Sequence, residues 1–353
     1  MSMQNSPQDS EEATNIQREI TDPKEITGKK SRKTVAGIEK ENRVVERSGT
    51  PILEVKDLCH RYPHLDSNAL DKINLKVFKG ERVAVLGANG AGKSTLFKHL
   101  NGILRPLSGE VLVKGEKITK KNVRACRETV GIVFQDPDDQ VLAPSVEEDI
   151  AFGPINMGLS RNEVEARVKE ALEMVGLKGF EERAPHHLSG GQKKLVAIAG
   201  ILAMRPEVIV LDEPTAGLDP LSSSRILGLI MKMNRELGIT LLLSTHDVDV
   251  VPYFAERVFV LHHGKLEADG SPEEIFNDPE LLRKAHLRLP RVAEVFEMLQ
   301  QEGIDVDIQI TAEAARDEIL RLINSGDQVT GWRSETREKL PNRRTFNGNS
   351  YGY

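Results

Sequence analysis

The sequence predicts an α/β fold with a mostly parallel sheet covered by helices. Three observations carry that expectation. Short apolar runs, Val208-Ile209-Val210-Leu211 and Thr240-Leu241-Leu242-Leu243, have the length and continuity of strands buried on both faces. Helix-length segments lie between such runs, as strand-helix alternation requires. A glycine-rich turn follows a third apolar run that ends at Leu86.

The elements follow in order. Residues 52–62 alternate enough to form a strand, residues 73–77 form another, and Lys79-Gly80 turns the chain into a third over 82–86. Residues 110–113 and 130–134 continue the strand pattern. A helix starts after Ser160, where Ser160-x-x-Glu163 reads as a capping box. Val164, Val168, Ala171, Leu172 and Val175 share one face of it, and Gly176 stops it. Strands over 208–211, 240–243 and 257–261 complete the expected sheet, and Ser271-Pro272-Glu273-Glu274 starts a helix. Beyond about residue 281 the pattern becomes helical, with amphipathic segments over 292–299 and 312–323.

Composition excludes several classes. The chain has 353 residues with 48 Lys+Arg and 54 Asp+Glu, a net charge of −6, and is long enough to bury a large core. It contains no apolar run of about 18 residues, the least that a membrane-spanning helix needs. The mildly acidic balance argues against nucleic-acid binding by bulk charge. Two cysteines, Cys59 and Cys126, without CxxC spacing argue against a disulfide framework or a cysteine-rich zinc site, and both read as small buried residues. Residues 1–48 hold nine basic and nine acidic side chains and no aromatic, which reads as a solvated extension. Its basic run over 29–33 has the chemistry to touch an anionic lipid surface, and reads first as solvated charge. The adjacent pairs His186-His187 and His262-His263 lack the i, i+4 spacing of a helical metal site and read as loop histidines.

Gly87-Ala88-Asn89-Gly90-Ala91-Gly92-Lys93-Ser94 fits the P-loop spacing GxxxxGK[ST] between a strand and a helix. Phosphates concentrate negative charge. A glycine-rich turn lets several backbone N–H groups converge on them, and the following helix adds its positive end. Gly87, Asn89, Gly90, Ala91 and Gly92 are the candidate cradle. Lys93 is expected to reach the β- and γ-phosphates, the Ser94 hydroxyl to bind Mg²⁺, and Thr95 to add a phosphate hydrogen bond. The run over 208–211 ends in Asp212-Glu213 at the mouth of the sheet. Asp212 there would hold the Mg²⁺ shell, and Glu213 would act as base or water-orienting group for in-line attack.

Leu188-Ser189-Gly190-Gly191-Gln192 lies between these two motifs. On that signature the chain resembles the ATP-binding cassette family among P-loop NTPases. Further residues match in order. Gln135 resembles the Q-loop glutamine, Gly217-Leu218-Asp219 the D-loop, His246 the switch histidine, and Tyr62 the aromatic residue that stacks on adenine. The resemblance covers residues 52 to about 280. It implies ATP and Mg²⁺ as ligands, with Gln135 joining Ser94 and Asp212 at the metal and with Gln135, His246, Lys93 and Glu213 at the reaction. It also implies a RecA-like P-loop core with an antiparallel β subdomain and a helical signature subdomain at about 137–190. The expected layout is a charged extension over 1–48, an ATPase domain over 49–280, a helical extension over 281–324 and a disordered tail over 325–353. Members pack head to tail, so Ser189 and Gly191 of one copy would donate to the γ-phosphate held by a second ATPase subunit, identical or different.

A narrower resemblance follows Gln135. The segment Gln135-Asp136-Pro137-Asp138-Asp139-Gln140, with Glu148-Asp149-Ile150-Ala151-Phe152-Gly153-Pro154, is similar to ATPases of energy-coupling-factor importers, which take up cobalt, nickel or vitamins. That likeness implies a transmembrane coupling subunit whose arginines meet Asp138 and Asp139, a substrate-binding membrane subunit, and a peripheral place on the cytoplasmic face of the cell membrane, with no nucleic-acid partner. Leu195 stands where the wider family often has Arg, after Lys193 and Lys194. The alternative is a soluble cassette ATPase acting on nucleic acid or ribosomes. Such relatives carry an inserted coiled coil, zinc cysteines or a second cassette, and none is present here.

Overall fold

The computed structural model describes residues 49–63 and 66–325. The charged stretch 1–48 with its basic run, and the tail that contains Trp332, lie outside the described residues. Two compact units are present, one ending at Arg288 and one starting at Leu289.

In the first unit the strands are β1 (Leu53–His60), β2 (Leu70–Val77), β3 (Arg82–Leu86), β4 (Ser108–Val113), β5 (Glu116–Lys117), β6 (Val130–Val133), β7 (Val208–Asp212), β8 (Thr240–Ser244), β9 (Arg257–His262) and β10 (Lys265–Gly270). Its helices are α1 (Lys93–Leu100), α2 (Val123–Thr129), α3 (Val146–Asn156), α4 (Arg161–Val175), α5 (Gly190–Ala203), α6 (Pro220–Leu237), α7 (Val251–Phe254), α8 (Pro272–Phe276) and α9 (Pro279–Lys284). One sheet has the order β2-β1-β4-β5 and is antiparallel throughout. The other has the order β10-β9-β3-β8-β7-β6; only its edge strand β10 runs antiparallel.

Strands β7 and β8 are buried at every position, which explains their unbroken apolar runs. A single core links both sheets to α1 through Leu53, Ile73, Val85, Leu96, Phe97 and Phe259. Arg257 on β9 ties the sheets as well, by a fork onto Asp269 at 2.5 and 2.6 Å and an N–H donated to the Lys76 carbonyl at 3.1 Å. Helices α3, α4 and α5 pack on one another as a separate helical layer, and α5 also meets β6.

Most strand expectations hold to within a residue or three at each end. The helix after Ser160 spans Arg161–Val175, with Ser160 as N-cap and Gly176 in the left-handed region after it. The expected capping box is only half made there. Ser160 Oγ accepts from the Glu163 N–H at 3.4 Å, but the Glu163 carboxylate accepts from Arg167 Nε at 2.8 Å. A charged partner one turn on outcompetes the return bond to the cap. Complete boxes form at Ser189 with Gln192 and at Ser271 with Glu274.

In the second unit α10 (Arg291–Gln301) and α11 (Ala312–Ser325) contain the two amphipathic segments. Phe296, Val306 and Ala315 form its small core.

Candidate active site

β3 delivers the chain straight into the glycine-rich turn, and α1 begins at Lys93. Two glycines there are required by space. A Cβ at Gly87 would come within 2.4 Å of the Leu261 carbonyl oxygen. A Cβ at Gly92, whose φ is +109°, would lie 2.7 Å from the Ala69 carbonyl oxygen. No side chain caps α1, and its first turn holds no acidic residue, so its first N–H groups are left for a ligand.

The C-terminal edge of the sheet brings β3, β7 and β8 together, since β8 pairs with both of the others. The Lys93 ammonium, 6 % exposed, donates to the Gly87 carbonyl at 2.8 Å and lies 3.7 Å from Glu213 Oε1. The other carboxylate oxygen of Glu213 accepts from Gln135 Nε2 at 3.4 Å and lies 3.1 Å from His246 Nδ1. So the Glu213 carboxylate joins Lys93, Gln135 and His246. Glu213 has φ +45°, in the left-handed region that costs a side-chain-bearing residue about 1–3 kcal/mol. Its N–H donates to Ser244 Oγ at 3.0 Å. Ser244 Oγ–H in turn donates to Asp212 Oδ1 at 2.6 Å. Ser94 lines the same site.

Lys93, Ser94, Gln135 and Glu213 border a cavity of about 680 Å³, whereas Gly87, Asp212, Ser244 and His246 are not part of its lining. Tyr62, Asn89, Lys93, Ser94, Gln135 and Glu213 line it. Tyr62 is half-buried there, with its hydroxyl 3.1 Å from Thr95 Oγ1. Ser189 and Gly191 do not line the cavity. Ser189 is exposed as the N-cap of α5, where its hydroxyl accepts from the Gln192 N–H at 3.3 Å. The donor set fits a magnesium nucleotide: bare backbone N–H groups and an ammonium suit phosphate, and hydroxyl, amide and carboxylate oxygens suit Mg²⁺.

The chain matches the ABC transporter family model over residues 70–216. It is 88 % identical over 293 residues to a protein of Methanosarcina acetivorans, covering 83 % of this chain and 90 % of that one. The chain belongs to the ABC transporter ATPase family. A protein of Methanocaldococcus jannaschii named energy-coupling factor transporter ATP-binding protein EcfA is 57 % identical, over 77 % of this chain and 98 % of its own. The solved structure of cbiO1 from Clostridium perfringens, described as part of the ABC transporter complex cbiONQ, aligns with a TM-score of 0.61 at 46 % identity. That alignment covers 70 % of this chain and 100 % of that one. A dimeric ATP-binding cassette in a post-hydrolysis state with ADP and Pi aligns at 31 % identity and a TM-score of 0.57, over 62 % of this chain and 98 % of that one.

Two site residues of this ABC ATPase escaped the sequence reading. Ser244 stands one residue past the apolar run of β8, and nothing in the sequence marks its register opposite Asp212. Lys194 is 2 % exposed and donates to the Glu213 carbonyl at 3.2 Å and the Ala216 carbonyl at 3.5 Å. Burial pushes its ammonium below the usual value, against the opposing pull of Asp136, Glu213 and Asp212. Its neighbour Lys193 pairs with Asp138 at 2.6 Å. The cysteines are buried as expected, and among the described residues no group of three metal-ligating side chains occurs. No helix among them is long and apolar enough to cross a membrane.

Proposed function

We propose that this chain is the ATP-hydrolysing subunit of an energy-coupling-factor type importer, and that it drives uptake of a transition-metal ion (cobalt or nickel) or a vitamin. The observation that carries the reading is the Glu213 carboxylate, held within 3.7 Å of the P-loop ammonium and within hydrogen-bonding reach of Gln135 and His246. The likeness to proteins named EcfA and to cbiO1 supports the importer class.

On this reading the residues take the following roles. Tyr62 stacks on adenine. Gly87, Asn89, Gly90, Ala91 and Gly92 wrap the phosphates, Lys93 meets the β- and γ-oxygens, and Thr95 adds a hydroxyl. Ser94, Gln135 and Asp212 would hold Mg²⁺, which would neutralise phosphate charge when bound. Glu213 takes the proton of the attacking water; the water oxygen bonds to the γ-phosphorus and the bridging oxygen leaves with ADP. His246 steadies Glu213 and the γ-phosphate. Ser189 and Gly191 stand outside the chain's own cavity, and head-to-tail packing of the kind the family resemblance implies would bring them to the γ-phosphate of a second ATPase subunit. The pair docks peripherally on the cytoplasmic face against a transmembrane coupling subunit, with a substrate-binding membrane subunit beside it, and needs no nucleic acid.

The test is co-expression with candidate membrane subunits. ATPase activity and radiolabelled cobalt, nickel and vitamin uptake are measured in one set of vesicles. ATP-dependent uptake of one cargo class supports the reading. An ATPase that co-purifies only with nucleic acid or ribosomes refutes it.

A further inference from the structure

The family site accounts for Glu213 but not for what holds it in a strained conformation. Its backbone has φ +45°, which side-chain-bearing residues rarely adopt. Two clamps are visible. On one side the Glu213 N–H is fixed by Ser244, through both its hydroxyl at 3.0 Å and its carbonyl at 3.2 Å. On the other side the Glu213 carbonyl accepts from the Ala216 N–H at 3.1 Å and from the Lys194 ammonium at 3.2 Å. Lys194 comes from α5, five residues after Ser189, and its ammonium also reaches the Ala216 carbonyl in the turn that leads to Asp219. A fully buried lysine is rare because its charge is costly to desolvate, so carboxylates must compensate it. Here Asp212 and Glu213 are themselves buried, at 5 % and 8 % exposure.

We infer that Lys194 is a positioning residue for hydrolysis: its buried ammonium locks the Glu213 turn and ties it to the helix that begins at Ser189. Lys194 is not among the residues that line the cavity. It acts through the Glu213 backbone, so it governs the orientation of the base and leaves the phosphate cradle alone. It also makes the Glu213 turn and α5 move as one, so a displacement of Ser189 is felt at the base of the same chain. The inference rests on the reading of Glu213 as the base.

The experiment uses the full chain with Lys194→Met, Lys194→Arg and Glu213→Gln, singly, and with Lys194→Met combined with Glu213→Gln. ATPase kcat, KM for ATP, ADP affinity and melting temperature are measured for each. Lys194→Met should lower kcat at least 10-fold with KM and ADP affinity within 3-fold, and Lys194→Arg, which keeps the charge and its donors, should recover most of that loss. On top of Glu213→Gln, Lys194→Met should lower kcat by less than 3-fold, because both act on one step. Equal losses in the Met and Arg variants, or full multiplication of the two losses in the double variant, overturn the inference. Should Lys194→Met not fold, Lys194→Gln takes its place under the same criteria. Wild-type turnover in Glu213→Gln instead overturns the assignment of the base, whatever Lys194 does.

Discussion

Gly92→Ala isolates what the P-loop glycines contribute, and Gly90→Ala is its control. Both positions have positive φ, +109° at Gly92 and +79° at Gly90. Either alanine therefore carries backbone strain of about 1–3 kcal/mol. They differ in space. At Gly92 the added Cβ meets the Ala69 carbonyl oxygen at 2.7 Å and Leu70 Cδ2 at 2.9 Å, whereas at Gly90 nothing lies within 4 Å. Forcing a methyl into a filled site adds about 1–3 kcal/mol. For a unit of this size about 1 kcal/mol moves the melting temperature by roughly 2–4 °C. Gly92→Ala should thus melt lower than Gly90→Ala by roughly 2–12 °C. It should also bind ADP more weakly, because Ala69 and Gly92 both border the cavity. Calorimetric melts of the two variants with and without Mg-ADP check this. Equal melting temperatures, with equal ADP affinity, would show that the close approach to Ala69 is not a real constraint and would refute the steric argument.

Three further outcomes are expected. Glu213→Gln keeps the shape of the carboxylate, so ADP affinity should change little while turnover drops by roughly 10²–10⁴, as for loss of a general base; steady-state phosphate release measures it. Ser244→Ala deletes the hydroxyl donated to Asp212 and accepted from the Glu213 N–H, at a cost of about 1–3 kcal/mol; a melting temperature unchanged from wild type would count against that network. Asp138→Lys with Asp139→Lys should leave nucleotide binding intact and abolish co-purification with the transmembrane partner, read by pull-down from membranes. The first of these changes also reverses the charge facing Lys193, a half-exposed pairing whose loss costs little stability.

The legible parts of this chain share one property: their physics is local. An unbroken apolar run identifies β7 because every side chain on it is buried. GxxxxGK[ST] identifies the glycine-rich turn between β3 and α1 because glycine spacing and an N-terminal helix end are both written in consecutive residues. Gly176 identifies a helix stop because the left-handed cap needs no distant partner. What escaped depends on pairing across the sheet or between layers. Ser244 matters only because register sets it opposite Asp212. Lys194 reads from the sequence as one of two polar residues where an arginine is often found nearby. Only the packing of α5 against the sheet decides that Lys194 turns inward to Glu213 while Lys193 turns outward to Asp138. The Ser160 box failed for a related reason. The pattern S-x-x-E states what Glu163 can do, but Arg167 at i+4 decides what it does.

The charges around the cavity explain why a single chain is an unfinished enzyme on the proposed reading. Lys93 and Lys194 are matched by Asp212 and Glu213, all four at most 8 % exposed, so the buried charges balance before nucleotide arrives. A nucleotide triphosphate brings net negative charge even with Mg²⁺ bound, into a region where dielectric screening is weak. The helix dipole of α1 offsets part of it, and Lys93 can shift from Glu213 toward phosphate. That shift leaves the Glu213 carboxylate less compensated, so the site as a whole keeps the net negative charge that the nucleotide brings. A further positive group is therefore needed on the open side of the cavity. The N-terminus of α5 supplies one: it begins in Gly190-Gly191, carries no acidic residue in its first turn, and stands exposed away from its own cavity. A second subunit presenting that helix end supplies the missing charge only while the γ-phosphate remains. On the proposed reading, hydrolysis and phosphate release would remove the reason for the two chains to stay closed, and that would make a chemical step able to move a membrane partner.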